Sequence, residues 1–362
     1  MDLSKKILTA VLALCMLFSA FALAACDVAG SESSAPAEDL SESESSADES
    51  SGGDESMEES TPDTGYVSPI DEIESYPMTL EMMSDTMFRM TCTDELGKPF
   101  ILTFTKKSWG TWNLCDWIYI GNSITGGSTD WEYVYRAGSD ASGWVWSGGN
   151  HKNEKFLSIE FFDGITGEKL ELEKGDKAEL EKIKIVENTQ LHLGDESVTY
   201  CDVVRTYNIV GRQVTLDVDY DFTADTYFWL SYTCMFPVNK KYGLYIDFKN
   251  DDGTTKTVET SEVGKADYTG PMYKGNAASL CEIYGKTNPE YRFFVEVFTT
   301  EDSVENFKNT HKTFYWDMNT THNKLYFSKF EESSPTKVTA GTQWHTTCRW
   351  TFVPDYEVDA EG

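Results

Sequence analysis

From Tyr66 onward the chain is a succession of short, aromatic-rich runs in which apolar residues return at every second place. Gln213-Val-Thr-Leu-Asp-Val-Asp-Tyr-Asp-Phe is the clearest of them. Side chains that alternate between an apolar and a polar face with period two belong to a half-buried β-strand. Val198-Thr-Tyr-Cys-Asp-Val-Val-Arg-Thr-Tyr-Asn-Ile-Val precedes it across Gly211-Arg212, so the pair reads as a hairpin. Pro99-Phe-Ile-Leu-Thr-Phe-Thr, Trp131-Glu-Tyr-Val-Tyr-Arg, Phe156-Leu-Ser-Ile-Glu-Phe-Phe, Tyr227-Phe-Trp-Leu-Ser-Tyr-Thr-Cys-Met-Phe and Tyr291-Arg-Phe-Phe-Val-Glu-Val-Phe have the same character. So do the shorter Leu244-Tyr-Ile-Asp-Phe, Leu325-Tyr-Phe and Cys348-Arg-Trp-Thr-Phe. Asp163-Gly, Thr166-Gly and Asn250-Asp-Asp-Gly punctuate them as turns.

Helix signals are few. Thr300-Glu-Asp-Ser-Val-Glu-Asn-Phe-Lys, with an N-cap residue and acids in its first turn, predicts one short helix. Residues 178–185 fit helix or strand equally. A dozen or more strands at this spacing predict an all-β fold: one large antiparallel β-sandwich over residues 67–362, supersandwich-like, with few short helices. A smaller sandwich with a second β-subdomain is the alternative.

The N-terminus is of another kind. Lys5 and Lys6 precede an apolar run over residues 7–25 that ends in Leu23-Ala24-Ala25-Cys26. A positive stub, an apolar core and small residues before a cut site form an export signal. Those last four residues resemble the lipobox of bacterial lipoproteins. The resemblance implies removal of residues 1–25, a diacylglycerol on Cys26, and membrane lipid as a partner at the extracytoplasmic face of the cell membrane. An uncleaved membrane anchor is the rival, since the run is almost long enough to span, but such an anchor has no need of a cysteine after small residues.

Residues 26–66 follow as a tether. Residues 27–66 hold thirteen acids and neither Lys nor Arg, and up to residue 65 they hold no aromatic side chain. A segment so poor in apolar area cannot offset its ordering entropy, and its like charges keep it extended. Residues 67–362 carry 28 basic and 47 acidic residues, an excess of about nineteen negative charges. A field of that sign repels phosphate backbones and argues against nucleic acid as a partner.

Six cysteines remain beyond Cys26: Cys92, Cys115, Cys201, Cys234, Cys281 and Cys348. Three disulfides would allow fifteen pairings. The wide spacing, the absence of CxxC and the apolar settings favour buried free thiols or a single bridge. A domain this large needs no staples.

Gly143-Trp-Val-Trp-Ser-Gly-Gly-Asn-His-Lys-Asn-Glu is the most site-like segment. Trp144 and Trp146 share one face of a strand, where they could stack on a sugar ring. The glycine pair admits backbone conformations closed to other residues and can aim Asn150, His151 and Glu154 at a ligand. His151 suits a general base near neutral pH. The plainer reading is a polar hairpin turn whose tryptophans face the core. A second cluster, Arg205, Tyr207 and Arg212 with Tyr232, could hold a carboxylate and supply a proton. Its plainer reading is a cross-strand surface pair. His311, His322 and His345 match no metal-ligand spacing, and HExxH, GxSxG and phosphate-binding loops are absent, so neither metal nor cofactor is expected.

An almost purely stranded domain of this size, with the turn Gly148-Gly149-Asn150-His151, resembles galactose-mutarotase-like folds and certain polysaccharide lyases. The resemblance implies carbohydrate binding, or lyase chemistry with His151 or Tyr207 as proton carriers and Arg205 neutralising a uronate. Trp144, Trp146, Asn150, Glu154 and Tyr232 would line the ligand. The expected function is therefore binding or processing of a polysaccharide at the cell surface, with catalysis left open. The alternative is a non-catalytic surface lipoprotein that binds a protein or an envelope component. A transporter's substrate-binding lipoprotein is a third class, opposed by the scarcity of helices.

Overall fold

The computed structural model describes residues 67–94, 97–127, 130–250, 252–266, 272–274, 278–286, 290–298, 312–328 and 335–355. The export signal, Cys26, the tether, His311 and the segment predicted as a helix over 300–308 lie outside them.

Among the described residues the fold is strands, apart from one 3-10 turn at Gly149–His151. They form three antiparallel sheets. A six-stranded sheet runs, edge to edge, Lys177–Leu180, Met78–Ser84, Met87–Thr93, Pro99–Lys106, Trp112–Tyr119 and Asn122–Ser123. A ten-stranded sheet runs Thr255–Glu259, Tyr245–Asn250, Ala278–Tyr284, Glu290–Phe298, Gln343–Asp355, Gln213–Phe222, Thr199–Val210, Ile183–His192, Glu154–Asp163 and Lys169–Leu170. The third sheet runs Met272–Lys274, Lys312–Trp316, His322–Ser328, Thr226–Asn239, Tyr133–Gly138 and Val145–Ser147, with Thr336–Val338 also paired to Thr226–Asn239.

The large antiparallel sandwich is thus present. The hairpin forms as its sequence predicts, with Val210 opposite Gln213 across Gly211-Arg212 and Tyr207 opposite Leu216. Residues 178–185 resolve as strand on both sides of a bend: Lys177–Leu180 pairs with Met78–Ser84, and Ile183–His192 enters the large sheet.

Both smaller sheets pack on one face of the ten-stranded sheet. Phe104 of the first meets Tyr207 edge-on at 5.1 Å, and Trp131, at the entry to the third, meets Trp350 at 5.9 Å. Trp117 touches Phe236, joining the two smaller sheets above the shared core. Each such ring, fully buried, contributes about 1.5–3 kcal/mol by leaving water, and each edge-on pair about 0.5–1.5 kcal/mol more. Alternation supplies this core: Val203, Tyr207 and Ile209 are all buried, at alternate places on one strand face. The six domain cysteines are buried free thiols, so the single bridge is not formed.

Candidate functional site

The Gly148–His151 turn is fixed by its glycines. Gly148 and Gly149 have φ of +83° and +52°, where an L side chain is strained. A methyl group on Gly148 would come within 2.8 Å of the Tyr133 carbonyl oxygen, and one on Gly149 within 2.2 Å of Asp130 Oδ1. Lys152 and Asn153 also lie at positive φ, so the chain is strained as it leaves the turn. The Asn153 side-chain amide donates to the Trp146 carbonyl at 2.5 Å, and the Asn150 amide donates to Asp130 Oδ1 at 2.5 Å.

This turn stacks the His151 ring on Trp146, at 4.6 Å and 15° between planes. Trp144 meets Trp146 edge-on at 5.6 Å. The Arg136 guanidinium lies 4.4 Å from the Trp144 ring centre and 4.3 Å from that of Trp146. Such contacts stabilise by about 0.5–2 kcal/mol, more when dry. Trp144 is 42 % exposed and Asn150 is exposed, whereas His151 and Trp146 are half-buried.

Behind this edge the same sheet face continues as a second apolar cluster of Val134, Leu230, Tyr232, Met235, Phe314 and Tyr326, with Trp146 and Trp316 packed against it. Lys324, buried on that face, lies 3.4 Å from Asp130 Oδ2 and 5.1 Å from the Tyr326 ring centre. Burial opposes ionisation of Asp130, but Lys324, His151 and the Asn150 amide together hold its carboxyl below the ordinary range. Burial draws Lys324 below the usual ammonium range despite Asp130. Burial likewise pulls His151 below 6.5, with Lys324 and Arg136 helping and Asp130 opposing, so the ring favours its neutral, proton-accepting form.

The residues singled out in the sequence fall into two places. Trp144, Trp146, Asn150, His151 and Tyr232 belong to this face. Arg205, Tyr207 and Glu154 do not: all three lie in the interior, at most 1 % exposed. The Glu154 side chain turns away from the His151 turn into the sandwich. There its Oε1 accepts from Thr189 at 2.8 Å and from the Tyr133 hydroxyl, 3.4 Å from Arg205 Nη2. Arg205 Nη2 also lies 2.9 Å from Glu187 Oε2. Tyr207 donates to Glu132 Oε1 at 3.0 Å. Glu132 further accepts from the Leu114 amide, and Glu187 from the Trp112 amide, each at 2.8 Å. This junction therefore ties together all three sheets, and a uronate could not reach Arg205 without opening the core. Tyr232 leaves the Arg205 group for a physical reason. Register shifts in Thr226–Asn239 change the alternation, and Tyr232 stands on the opposite face, 4.7 Å from Tyr326.

Asp130, Arg136, Lys324 and Tyr326 escaped the sequence reading. A signal existed: Lys324 and Tyr326 alternate on one strand, and Arg136 alternates with Val134. His345, by contrast, pairs with Asp219 at 2.6 Å on the large sheet, and His322 contacts Thr321.

Fold and site together define an all-antiparallel β-sandwich protein with a mixed aromatic and charged face on one smaller sheet. No family model matches the sequence, and no curated protein matches it. Among solved structures the chain is similar to an α-galactosidase of Lactobacillus brevis, at 6% identity and a TM-score of 0.45, over 75% of this chain and 40% of that one. An α-galactosidase of Geobacillus stearothermophilus gives 6% identity and a TM-score of 0.41, over 74% and 41%. A mutarotase candidate of Salmonella typhimurium gives 8% identity and a TM-score of 0.39, over 79% and 97%. The chain spans about two fifths of the length of those galactosidases. Likeness at these scores carries no inference about a site or an activity.

Proposed function

We propose that this chain is an exported, Cys26-lipidated protein of the extracytoplasmic membrane face whose β-sandwich domain binds carbohydrate through the Trp144–Trp146–His151 edge. One observation carries the reading: an exposed tryptophan held rigidly against a second tryptophan, a guanidinium and a histidine, on a face that also bears a buried Lys324 paired with half-buried Asp130. Sugar rings present apolar C–H faces and a rim of hydroxyls. Rigid aromatic planes serve the first, and Asn150, His151 and Asp130 serve the second. Where the bound sugar is also processed, neutral His151 is the group able to accept a proton.

Two measurements test this. On an array of bacterial and plant polysaccharides, the full chain is expected to bind at least one class of glycan. Trp144→Ala and His151→Ala should each weaken that binding roughly tenfold or more. A wild-type protein that binds none overturns the carbohydrate reading and favours a protein or envelope partner. In bacterial cells the protein is expected in the membrane fraction with a mass increase on Cys26, and Cys26→Ser should abolish both. Wild-type protein recovered unacylated from the cytosol overturns the anchor.

A further inference from the structure

The interior junction and the candidate face meet at Tyr133. Its hydroxyl donates to Glu154 Oε1, inside the core. Its ring is 7° from parallel with Tyr135 at 5.3 Å, and Arg205 sits 5.6 Å from its centre. From the other side, Tyr133 offers its carbonyl oxygen and ring edge to Gly148, close enough that no methyl group would fit between them. Gly148 opens the turn that ends at His151, with the His151 amide donating to the Gly148 carbonyl at 3.0 Å. Glu154 begins the strand that leaves this turn. One end of the turn thus packs on Tyr133, and the strand that leaves the turn begins at the residue to which Tyr133 donates.

We infer that Tyr133 and Glu154 form a positioning pair that seats the Gly148–His151 turn, so that the His151 ring lies on Trp146 in the orientation a ligand meets. This deepens the carbohydrate reading and rests on it for the word ligand, though not for the geometry. Neither residue reaches the surface, since both are at most 1 % exposed. They act through the backbone of the turn. Sites of this kind lose roughly tenfold or more in affinity when the supporting groups let a contacting side chain drift by about an ångström.

The test reads His151 directly, by proton NMR of the full chain without ligand. A ring stacked on an indole is shielded, so the wild-type His151 ring protons should resonate upfield, and the ring should titrate below the usual histidine value. In Tyr133→Phe both signatures are expected to relax, the resonance moving downfield and the titration rising by about half a unit or more. Glu154→Leu, which offers the Tyr133 hydroxyl no acceptor, should move them the same way. Val295→Ala, a buried truncation in the large sheet, should leave both as in wild type and so controls for simple loss of stability. Should Tyr133→Phe not fold, Glu154→Leu, which removes the same hydrogen bond from its other end, carries the test and should produce the same two shifts. A His151 spectrum unchanged in the folded variants overturns the inference. A blank glycan array for the wild type would instead remove the carbohydrate reading and leave this result standing.

Discussion

Arg205→Met is expected to lower the free energy of unfolding by about 3–5 kcal/mol, read from the urea midpoint at constant slope. Methionine roughly matches the lost volume, so a cavity is not the cause. Glu132, Glu154 and Glu187 share the dry space around Arg205, and burial outweighs Arg205 to push both Glu132 and Glu187 above their ordinary range. With the guanidinium gone, the remaining carboxyls lose the cation that offsets their burial. They must then stay uncharged or draw in water, and either costs stability. Among the described residues, Arg205 Nε, Nη1 and Nη2 all lack a hydrogen-bond partner, although Nη2 lies in ion-pair range of Glu187 and Glu154, so the ion pair is not ideal even in the wild type. That is why removing one member differs from replacing the whole set. An apolar core at this junction could match the native stability, whereas a half-dismantled one cannot. Lys177→Met, which removes an exposed partner of Glu81 at 3.2 Å, is the contrasting control and should change stability by less than about 1 kcal/mol. A loss under about 1 kcal/mol for Arg205→Met would show that the junction holds little charge.

The contrast between these arginine and glutamate positions shows what a sequence can and cannot disclose. Val203, Arg205, Tyr207 and Ile209 occupy alternate places on one strand, and three of the four are obvious core residues. Period two therefore already puts Arg205 on the buried face; reading it as a surface pair set side-chain chemistry above that alternation. Glu154 is harder. It stands three residues past the turn, beyond Lys152 and Asn153 at positive φ, and its side chain points inward. Local sequence specifies the turn's glycines but not that orientation, which depends on the Asp130 and Tyr133 contacts. Tyr232 is harder still. Its strand carries a register shift between Phe228 and Leu230, and an extra residue there reverses the faces of those that follow. The Trp144–Trp146 edge was legible because residues two apart on a regular stretch share a face, and Trp144, just ahead of the strand Val145–Ser147, keeps that alternation and meets Trp146 edge-on. Asp130 and Lys324 were not, because their pairing spans 194 positions and only the closed sheet brings them together.

The junction should also make the protein alkali-sensitive in a way that one substitution removes. Burial, opposed by Arg205 and reinforced by Glu154 and Glu132, raises Glu187 from 4.5 to about 8. Between those values the folded chain keeps a proton on Glu187 that the unfolded chain has released. The unfolded state binds fewer protons, so stability falls as pH rises, by up to about 1.4 kcal/mol per unit from this group. The loss begins above the unfolded value and levels off once pH passes the folded one, for a total on the order of 3–5 kcal/mol. Other groups run the opposite way. His151 and Asp130 are both held below their ordinary values, so their contributions are lost toward acid rather than alkali. The raw stability curve therefore mixes opposing slopes, and a comparison with Glu187→Gln isolates the one in question. Glutamine can still accept the Trp112 amide through its oxygen while carrying no titrating proton. Urea unfolding of both proteins at pH 5, 7 and 9 should show the variant gaining on the wild type at each step, with most of the gain between pH 5 and 8. Parallel curves across that range would mean that Glu187 titrates like any exposed carboxyl. The three sheets would then be joined at a wetter junction than their contacts with Trp112, Leu114 and Tyr207 imply.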